Sequence, residues 1–429
     1  MLTSIAGLAK GLRKPTLPLQ GEWTRIPASD YVPRSSHSLS IIKGRAYIFG
    51  GEHGTEQLVD NAIHVFTLPS SSVAEADHKV ILARPAKVGG EVPAPRLGHT
   101  ASVVGDRIYI FGGRGAGDSL LEEDGRVWFF DTLTARWGHL DPLPDTPFPP
   151  GRSYHAAAAN EHPLPNALNS SGDGTSPLPP HHGTLLVHAG RPATGERLND
   201  LWSFDIPSLT WARLADAPGL PRGGPSLVFA QNRLYRFGGF DGESEIGGSV
   251  DTLDFAVSTF DDQSGTGDMA LTPLSDGWES LKPPASSDDA LVPGPRSVAA
   301  MHALTTGQGR SYLVVYGGER SPSDGNNADG QFWNDAWSFQ LKPEGMTAAS
   351  FKDAARMTTG YETGERKWDR VRIGKEIDGI FQEGDTDGPG GPGWFASANM
   401  DIDPAAMVLW GGVNEQNGRL GDGWMLTVA

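Results

Sequence analysis

Five arginines stand at equivalent positions of a repeated sequence pattern, and they are the first residues in this chain whose type and spacing could do chemistry. They are Arg34, Arg96, Arg152, Arg222 and Arg296. A guanidinium is a planar fork of donors that suits a carboxylate, sulfate, phosphate or enolate oxygen. If the fold brings the five together, they predict a site for an anionic or oxygen-rich small molecule. The alternative is that each arginine only bonds loop carbonyl groups of a neighbouring repeat.

Acidic, aromatic and imidazole side chains near the same repeats complete the candidate site. Carboxylates beside the arginines would balance their converging positive charge, and a carboxylate or imidazole next to a substrate could move protons. The catalytic candidates are Arg96, Arg152, Glu319, Asp241 and His37. The substrate-binding candidates are Arg34, Arg222, Arg296, Glu52, Phe240 and Trp394. Phe240 and Trp394 are expected to form the apolar wall of the site.

The elements that must position these residues are short apolar runs that end in paired glycines. Arg34, Arg96 and Arg222 each precede such a glycine by sixteen residues, which indicates one shared register. β-Branched and aromatic residues favour strands, and glycine supplies the positive φ that a sharp turn after a strand requires. The runs lie at 46–51, 108–113, 185–190, 234–239, 313–318 and 407–412, the third ending in Ala-Gly.

A strand carrying a single tryptophan follows later in most repeats, as at Trp137, Trp211, Trp278 and Trp368. We predict that these tryptophans pack between repeats. The sixth repeat ends before such a strand, but the segment around Trp23 matches it. We therefore predict that the N-terminal strand completes the last repeat and closes a ring without an open edge.

The whole pattern resembles the kelch repeat, and the resemblance implies an all-β fold, a six-bladed kelch β-propeller with the N-terminal strand closing the last blade. Residues 20–429 would form this single propeller after a flexible lead-in at 1–19. In a kelch propeller the innermost strand starts at the axial channel, so the arginines are expected to converge there. The blades are expected to start near Arg34, Arg96, Arg152, Arg222, Arg296 and Pro392.

The net charge and the composition narrow the classes of molecule that this protein is expected to bind. The net charge of −17 disfavours a surface for nucleic acid or an anionic membrane. No apolar run is long enough to span a bilayer. The absence of cysteine excludes disulfides, thiolate metal sites and a cysteine nucleophile, and it favours a cytoplasmic location. We expect a monomer or simple homo-oligomer that binds a small molecule.

Several blade-specific motifs resemble the plant specifier proteins, which comprise the nitrile-specifier, epithiospecifier and thiocyanate-forming proteins. The motifs are Arg34-Ser35-Ser36-His37-Ser38, Arg152-Ser153-Tyr154-His155, Arg197-Leu198-Asn199-Asp200-Leu201-Trp202 and Arg222-Gly223-Gly224-Pro225. The resemblance implies an enzyme that steers the rearrangement of unstable glucosinolate aglucones with ferrous iron. It also implies that Arg96 and Arg152 bind the substrate anion. The long insertions resemble those of fungal kelch proteins.

The iron-binding pattern of that family resembles Glu-x3-Asp-x3-His, and this chain departs from it. Glu319 stands at the first position, but Ser323 and Asn327 stand at the second and third. Asp324 lies one place late, so Glu319 and Asp324 are at most a weak metal pair, because ferrous sites usually include histidine. No cofactor is therefore expected, and ferrous iron is the alternative.

Two classes of function remain open. The first, which we favour, is a non-redox enzyme of specialised metabolism that steers dehydration, rearrangement, isomerisation or cyclisation, including cycloaddition, of a reactive intermediate in the axial pocket. The second is a kelch scaffold that binds an acidic peptide over the same opening. A ferrous-dependent specifier protein is a third reading, which depends on the altered metal motif.

Overall fold

Runs of alternating buried and exposed residues form short antiparallel strands along almost the whole chain. The computed structural model describes residues 16–28, 30–69, 77–162, 181–260, 268–281, 292–307, 309–321, 330–361, 363–384 and 387–429. Strands dominate these ranges. The α-helix within them is α1, Ala348–Thr359, which begins at a capping box between Thr347 and Ser350 and ends at Gly360 in the left-handed conformation.

The first strand, β1 (Gln20–Ile26), belongs to the last sheet, and the following strands form one sheet after another in chain order. Blade 1 contains β2 (Ser38–Ile42), β3 (Arg45–Phe49), β6 (Ile63–Thr67) and β7 (Asp77–Ile81), with the small hairpin β4 (Glu52–Gly54) and β5 (Gln57–Leu58). Blade 2 contains β8 (Thr100–Val104), β9 (Arg107–Phe111), β10 (Val127–Asp131) and β11 (Arg136–Leu140). Blade 3 contains β12 (Arg152–Ser153), β13 (Ala156–Asn160), β14 (Thr184–Pro192), β15 (Leu198–Asp205) and β16 (Thr210–Leu214).

The second half of the chain repeats this arrangement with longer decorations. Blade 4 contains β17 (Ser226–Ala230), β18 (Arg233–Phe237), β19 (Val250–Phe260), β20 (Asp268–Pro273) and β21 (Glu279–Leu281). Blade 5 contains β22 (Ala300–Thr305), β23 (Ser311–Tyr316), β26 (Ala336–Gln340) and β27 (Trp368–Arg370), with the hairpin β24 (Glu319–Ser321) and β25 (Gln331–Phe332). Blade 6 contains β30 (Ala396–Asn399), β31 (Ala406–Val413), β32 (Arg419–Val428) and β1, extended by β28 (Arg372–Ile377) and β29 (Ile380–Glu383).

The six innermost strands form a closed ring. Each of β2, β8, β13, β17, β22 and β30 contacts the next, and β30 contacts β2 again. A closed ring leaves no free edge between the first and last blades. The predicted six-bladed β-propeller is therefore confirmed.

The ring is closed by the N-terminal strand, as predicted. β1 pairs antiparallel with β32, with Trp23 opposite Leu426. The outer edge of β1 is covered in turn by β28, which runs parallel to it and turns back through β29. Residues far apart in sequence therefore complete one sheet.

Aromatic side chains fill the seams between blades. Trp137 of blade 2 lies 5.0 Å from the ring of Phe49 in blade 1, and Trp211 of blade 3 lies 5.1 Å from Phe111 in blade 2. Trp368 repeats the contact with Phe237 at 5.4 Å. Each of these tryptophans packs on the residue before the preceding blade's paired glycines, so the tryptophan series is core, as the sequence predicts. In the described part of the chain, no helix has the length and apolarity to cross a membrane.

Candidate functional site at the mouth of the propeller

The five repeated arginines are buried clamps at the blade entrances. All five side chains are at most 5% exposed. Each Nη1 donates a hydrogen bond to the carbonyl oxygen of the first residue of its own blade's glycine pair. The distances are 3.1 Å for Arg34 to Gly50, 2.9 Å for Arg96 to Gly112, 3.0 Å for Arg152 to Ala189, 3.0 Å for Arg222 to Gly238 and 3.0 Å for Arg296 to Gly317.

Three of these arginines are also held by carboxylates inside the protein. Glu123 accepts two hydrogen bonds from Arg96, at 2.8 and 3.0 Å. Asp200 accepts two from Arg152, at 2.7 and 2.9 Å, and Asp335 accepts one from Arg296 at 2.8 Å. The remaining two, Arg34 and Arg222, lack such a partner among the described residues, and burial lowers their pKa to about 10.

This burial corrects the roles expected from the sequence. Arg96, Arg152 and Arg296 have no exposed side-chain surface, so they cannot reach a substrate without breaking hydrogen bonds and ion pairs. The backbone carbonyl groups at the same positions accept hydrogen bonds from the preceding blade, as Arg96 does from Gly51 at 2.8 Å. The repeated arginine therefore has a structural role. Its side chain bonds a carbonyl group of its own blade, and its backbone carbonyl group bonds the preceding blade. This is close to the alternative stated above, in which the side chain bonds carbonyl groups of a neighbouring repeat.

The residue two places after each entrance position rings the axis instead. This entrance ring consists of Ser36, Gly98, Tyr154, Gly224, Val298 and Trp394, and every member has a φ between 46° and 63°. Backbone N–H groups link consecutive members at 2.7 to 3.0 Å, from Ser36 to Trp394, Gly98 to Ser36, Tyr154 to Gly98, Gly224 to Tyr154 and Val298 to Gly224. A positive φ is costly for a β-branched or bulky residue, so Val298, Tyr154 and Trp394 are held there by the ring.

A second ring is formed by the residues that directly follow the paired glycines. This diglycine ring consists of Glu52, Arg114, Arg191, Phe240, Glu319 and Val413. Each member pairs with the residue that precedes the entrance-ring member of its own blade, as Glu319 does with Ser297. The two rings therefore place twelve positions of varying residue type around one opening on a repeated backbone arrangement.

The open pocket lies in the sector of blades 3 to 6 and has a volume of about 260 Å³. It is smaller than the ~300–1,000 Å³ typical of sites for drug-sized ligands, so it suits a small metabolite. Aromatic rings and charged groups surround it together. Its lining consists of Tyr154, Arg191, Arg197, Gly223, Gly224, Phe240, Ser297, Val298, Glu319 and Trp394.

Two arginines from blade 3 give the open pocket a basic wall. Arg191 lies in β14, and Arg197 directly precedes β15. The Arg197 guanidinium lies 5.6 Å from the centre of the Phe240 ring and donates to the Gly195 carbonyl oxygen at 3.3 Å. Burial and the charge of Arg191 lower the pKa of Arg197, while Asp241 opposes this shift. Two like charges this close favour an anion between or beside them.

Two carboxyl groups with raised pKa values stand near the opposite wall. Burial raises the pKa of Glu319 to about 7, and the Trp394 indole, which donates toward the carboxylate, partly offsets this rise. Burial raises the pKa of Glu245 to about 8, and the charges of Glu319 and Asp241 add to the effect while the Ser297 hydroxyl opposes it. Near neutral pH, Glu319 is therefore poised to gain or lose a proton, whereas Glu245 is mainly protonated.

The sector of blades 6, 1 and 2 has the opposite character, because its charged side chains form two ion pairs with each other. We call this sector the closed sector. Arg419 Nη2 lies 2.5 Å from Glu52 Oε1, and both side chains are nearly buried. Glu56 accepts two hydrogen bonds from Arg114, at 2.9 and 3.0 Å. Arg114 also donates to the Tyr154 hydroxyl oxygen at 3.1 Å. Charges in this sector are matched within the protein.

Comparisons with known proteins agree with the repeat and the ring. The KLHDC2/KLHL20/DRC7 Kelch-repeats domain family matches residues 18–164. The solved structure of YjhT superposes over 94% of this chain and 99% of its own, with a TM-score of 0.55 and 15% identity. The chain folds as a six-bladed β-propeller, and its residues 18–164 are similar to a kelch-repeat family.

Among curated proteins, a plant enzyme is similar in sequence to most of this chain. N-(sulfonatooxy)prop-2-enimidothioate sulfolyase of Thlaspi arvense is 28% identical over 315 residues, which are 70% of this chain and 75% of the relative. This similarity confirms the resemblance to specifier-type proteins. An F-box/kelch-repeat protein of Arabidopsis thaliana is 27% identical over 48% of this chain, but the match spans only 39% of that relative.

Three further sequence expectations need correction. The Asp241 carboxylate accepts hydrogen bonds from the Glu243 and Ser244 N–H groups, both at 2.8 Å, and these bonds hold its pKa low. It therefore stabilises a turn and is a poor base near neutral pH. Glu52 is committed to Arg419 rather than to a substrate.

His37 is the third. It is buried at the seam between blades 6 and 1, and burial together with Arg34 lowers its pKa far below the usual value. It does not line the open pocket. Together with His99 and His155 it lines a second cavity of about 170 Å³. We call this cavity the axial channel, because its walls are the entrance ring and the residue after each ring member.

The structure describes only part of the weak metal motif that the sequence predicts. The described residues contain no cluster of three histidine, aspartate or glutamate side chains with the spacing of a metal site. Of the weak metal pair, Glu319 lies in the open pocket, while Asp324 falls outside the described residues. We therefore derive no step through a metal.

Glu319, Phe240 and Trp394 do line the open pocket. Sequence reasoning missed Arg114, Arg191, Tyr154 and Glu245 as residues of the mouth. Reading the position after each glycine pair as a column would have revealed Arg114 and Arg191 beside Glu52 and Glu319. Reading the entrance motifs two places after the arginine would have revealed Tyr154. Glu245 stands opposite Phe240 as Leu58 and Leu120 stand opposite Glu52 and Arg114, but the loop is one residue shorter in blade 4, so equal spacing did not reveal it.

Proposed function

We propose that the open pocket is the active site of a non-redox enzyme that acts on a small substrate bearing an anionic, oxygen-rich group. The observation that carries the proposal is the arrangement of Arg191 and Arg197 across a small aromatic-walled cavity from the buried carboxyl group of Glu319. An anion anchor and a proton-transfer group on opposite walls favour elimination, rearrangement, isomerisation or cyclisation. In these reactions charge can develop on the substrate beside the arginines, and Glu319 serves those that also move a proton.

The side chains have separate roles in this proposal. Arg191 and Arg197 bind the anionic group and stabilise negative charge that grows on it in the transition state, without reorganising during the reaction. Glu319 takes or gives a proton, because a pKa of about 7 lets either form exist at working pH. Glu245, mainly protonated, keeps negative charge near Glu319 low. Trp394 and Phe240 exclude water and pack against the apolar part of the substrate.

The similarity to a sulfolyase supports an anionic leaving group. The relative's name describes an enzyme acting on a substrate with a sulfonatooxy group. Departure of sulfate needs cationic donors at the leaving oxygen, which the arginine pair supplies. We propose that substrates of this propeller carry a sulfate or carboxylate of similar size.

Two measurements with defined probes test the proposal. Isothermal titration calorimetry with methyl sulfate should show binding that weakens about tenfold or more in Arg197→Ala and Arg191→Ala, because each variant removes one cation from the anchor. Turnover of N-(sulfonatooxy)prop-2-enimidothioate, followed by product analysis, should fall by about 10²–10⁴ in Glu319→Gln. Arg213→Ala, which removes an exposed arginine paired with Asp216, is the matched control and should leave both readouts unchanged.

The outcomes separate the roles. Methyl sulfate binding that is equal in wild type and both arginine variants contradicts the anchor. A product pattern identical to that in buffer, together with no methyl sulfate binding, overturns the enzyme proposal for this pocket.

A scaffold is the second candidate, and the F-box relative supports it because kelch repeats there are part of a longer protein. The same arginines and Trp394 would suit the terminal carboxylate of an acidic peptide. Selection of displayed peptides that compete with methyl sulfate for the pocket would favour this candidate. Turnover of a small substrate that depends on Glu319 would favour the enzyme.

A further inference from the structure

Two aromatic side chains from opposite blades meet across the mouth of the propeller. Blade 3 contributes Tyr154 and blade 6 contributes Trp394, and two blades lie between them in either direction around the ring. Their ring centres are nevertheless 5.1 Å apart with the planes at 72°, an edge-to-face contact. Such contacts stabilise aromatic pairs beyond the area they bury. Together the two side chains form a bar across the axis.

The other four members of the entrance ring are small, which makes the bar distinctive. Serine, glycine, glycine and valine occupy these positions in blades 1, 2, 4 and 5. The bar supplies the two large side chains of the boundary between the open pocket and the axial channel, which Gly224 and Val298 also line on both sides. Each aromatic residue has a φ near 53°, a conformation that bulky residues rarely adopt. Local preference does not place them there.

Neighbouring groups hold the bar in position. Arg114, itself paired with Glu56, donates to the Tyr154 hydroxyl, and the Trp394 backbone carbonyl accepts a hydrogen bond from the Ser36 N–H at 2.9 Å. The Tyr154 ring lies over Gly98, where an added Cβ would come within 2.9 Å of the ring. The closed sector thus has a function beyond charge balance, because it fixes one wall of the open pocket.

We propose that the Tyr154–Trp394 bar determines specificity by separating the open pocket from the axial channel. This inference rests on the proposed function of the open pocket. Substrates are then short: an anionic head at Arg191 and Arg197 with an apolar part that ends at the bar. Removal of either ring joins the pocket of about 260 Å³ to the channel of about 170 Å³ and admits a longer chain.

The test compares chain-length profiles in the full protein. Calorimetry with straight-chain alkyl sulfates from methyl to octyl should show wild-type affinity that stops rising after the first few carbons. In Tyr154→Ala and Trp394→Ala the affinity should continue to rise, roughly three- to fourfold for each further methylene that enters the channel. Tyr361→Ala, an exposed tyrosine after α1, is the control and should keep the wild-type profile.

A parallel series of 1-alkanols separates this inference from the proposed function. Alkanols do not need the arginine anchor, so the longer members should bind the two bar variants even if no sulfate binds. Failure of all sulfates with success of the longer alkanols would count against the proposed anion site and support the bar. Unchanged length profiles in both series, in variants with wild-type circular dichroism, overturn the bar.

Discussion

The two halves of the propeller mouth share one backbone but use their charges differently. In the closed sector, Glu52 with Arg419 and Glu56 with Arg114 match opposite charges at hydrogen-bonding distance. In the open pocket, Arg191 and Arg197 from blade 3 and Glu319 from blade 5 line one cavity. The same ring positions therefore supply an internal ion pair in one half and a candidate ligand contact in the other.

This difference distinguishes charged side chains that pair with each other inside the protein from charged side chains that line a cavity. Burial of a carboxylate without a cation raises its pKa, as at Glu319, whereas no such cost arises where an arginine answers it. Protein interiors tolerate the unfavourable arrangement mainly at functional sites. Four predictions follow from this contrast, beginning with the largest effect.

Arg419→Ala should lower the free energy of unfolding by about 3–5 kcal/mol, because it leaves the nearly buried Glu52 carboxylate without its cation. Arg197→Ala in the open pocket should cost under about 1 kcal/mol, since Arg197 is partly exposed and its hydrogen bond is to a loop carbonyl. Urea unfolding measures both. The double variant Arg419→Leu/Glu52→Leu should recover much of the loss, and equal costs for the two single variants would contradict the contrast between sectors.

Glu319→Gln should stabilise the protein by about 1–3 kcal/mol at pH 8 and hardly at all at pH 4. The folded-state pKa of about 7 lies above that of an unfolded glutamate, so the folded protein binds more protons between those values. Wild-type stability is therefore lost as pH rises through this window, and the neutral amide removes that loss. Thermal unfolding from pH 4 to 8 checks the prediction. Parallel pH profiles for wild type and variant would contradict a raised pKa.

Gly98→Ala should cost about 1–2 kcal/mol, because a Cβ there meets the Tyr154 ring and the residue keeps a φ of 63°. Gly44→Ala isolates the backbone part, since Gly44 has a φ of 67° and an added Cβ would have no neighbour within 4 Å. The difference between the two losses in urea unfolding gives the steric cost of moving the bar. If the losses are equal, Tyr154 is not fixed over Gly98.

Asp241→Asn should have the smallest effect, at most about 0.5 kcal/mol, because an amide oxygen can accept the same turn hydrogen bonds. Turnover of the sulfonatooxy probe should stay within twofold of wild type, in contrast to Glu319→Gln. A large loss of turnover with unchanged stability would return Asp241 to the catalytic residues.

The sequence predicted the fold well because its signals are local and repeated. Equal spacing from Arg34 to Gly50 and from Arg96 to Gly112 set the strand register, and the unmatched strand at Trp23 identified how the ring closes. These inferences need only strand alternation and counting. The structure confirms both the strand order within the blades and the closure of the ring.

The site was harder to predict, because side-chain direction within one motif separates core from cavity. Arg152 and Tyr154 are two residues apart, yet the first is fully buried on Asp200 and the second lies in the mouth. Recurrence drew attention to the arginines, but recurrence in five of the six blades indicates a structural role. The positions that line the open pocket vary from blade to blade, as Arg191, Phe240 and Glu319 do at the position after the paired glycines.

The pairing of β1 with β32 in blade 6 has a consequence for the order in which the blades assemble. Gln20 and Ala429 exchange backbone hydrogen bonds in both directions, so segments near the two ends of the chain share one sheet. Blades 1 to 5 can form from neighbouring segments, but blade 6 is complete only when β32 pairs with the much earlier β1. The same proximity makes this propeller suitable for circular permutation. New chain ends in a loop between two blades would then replace the β1–β32 pairing as the point of closure without changing the mouth.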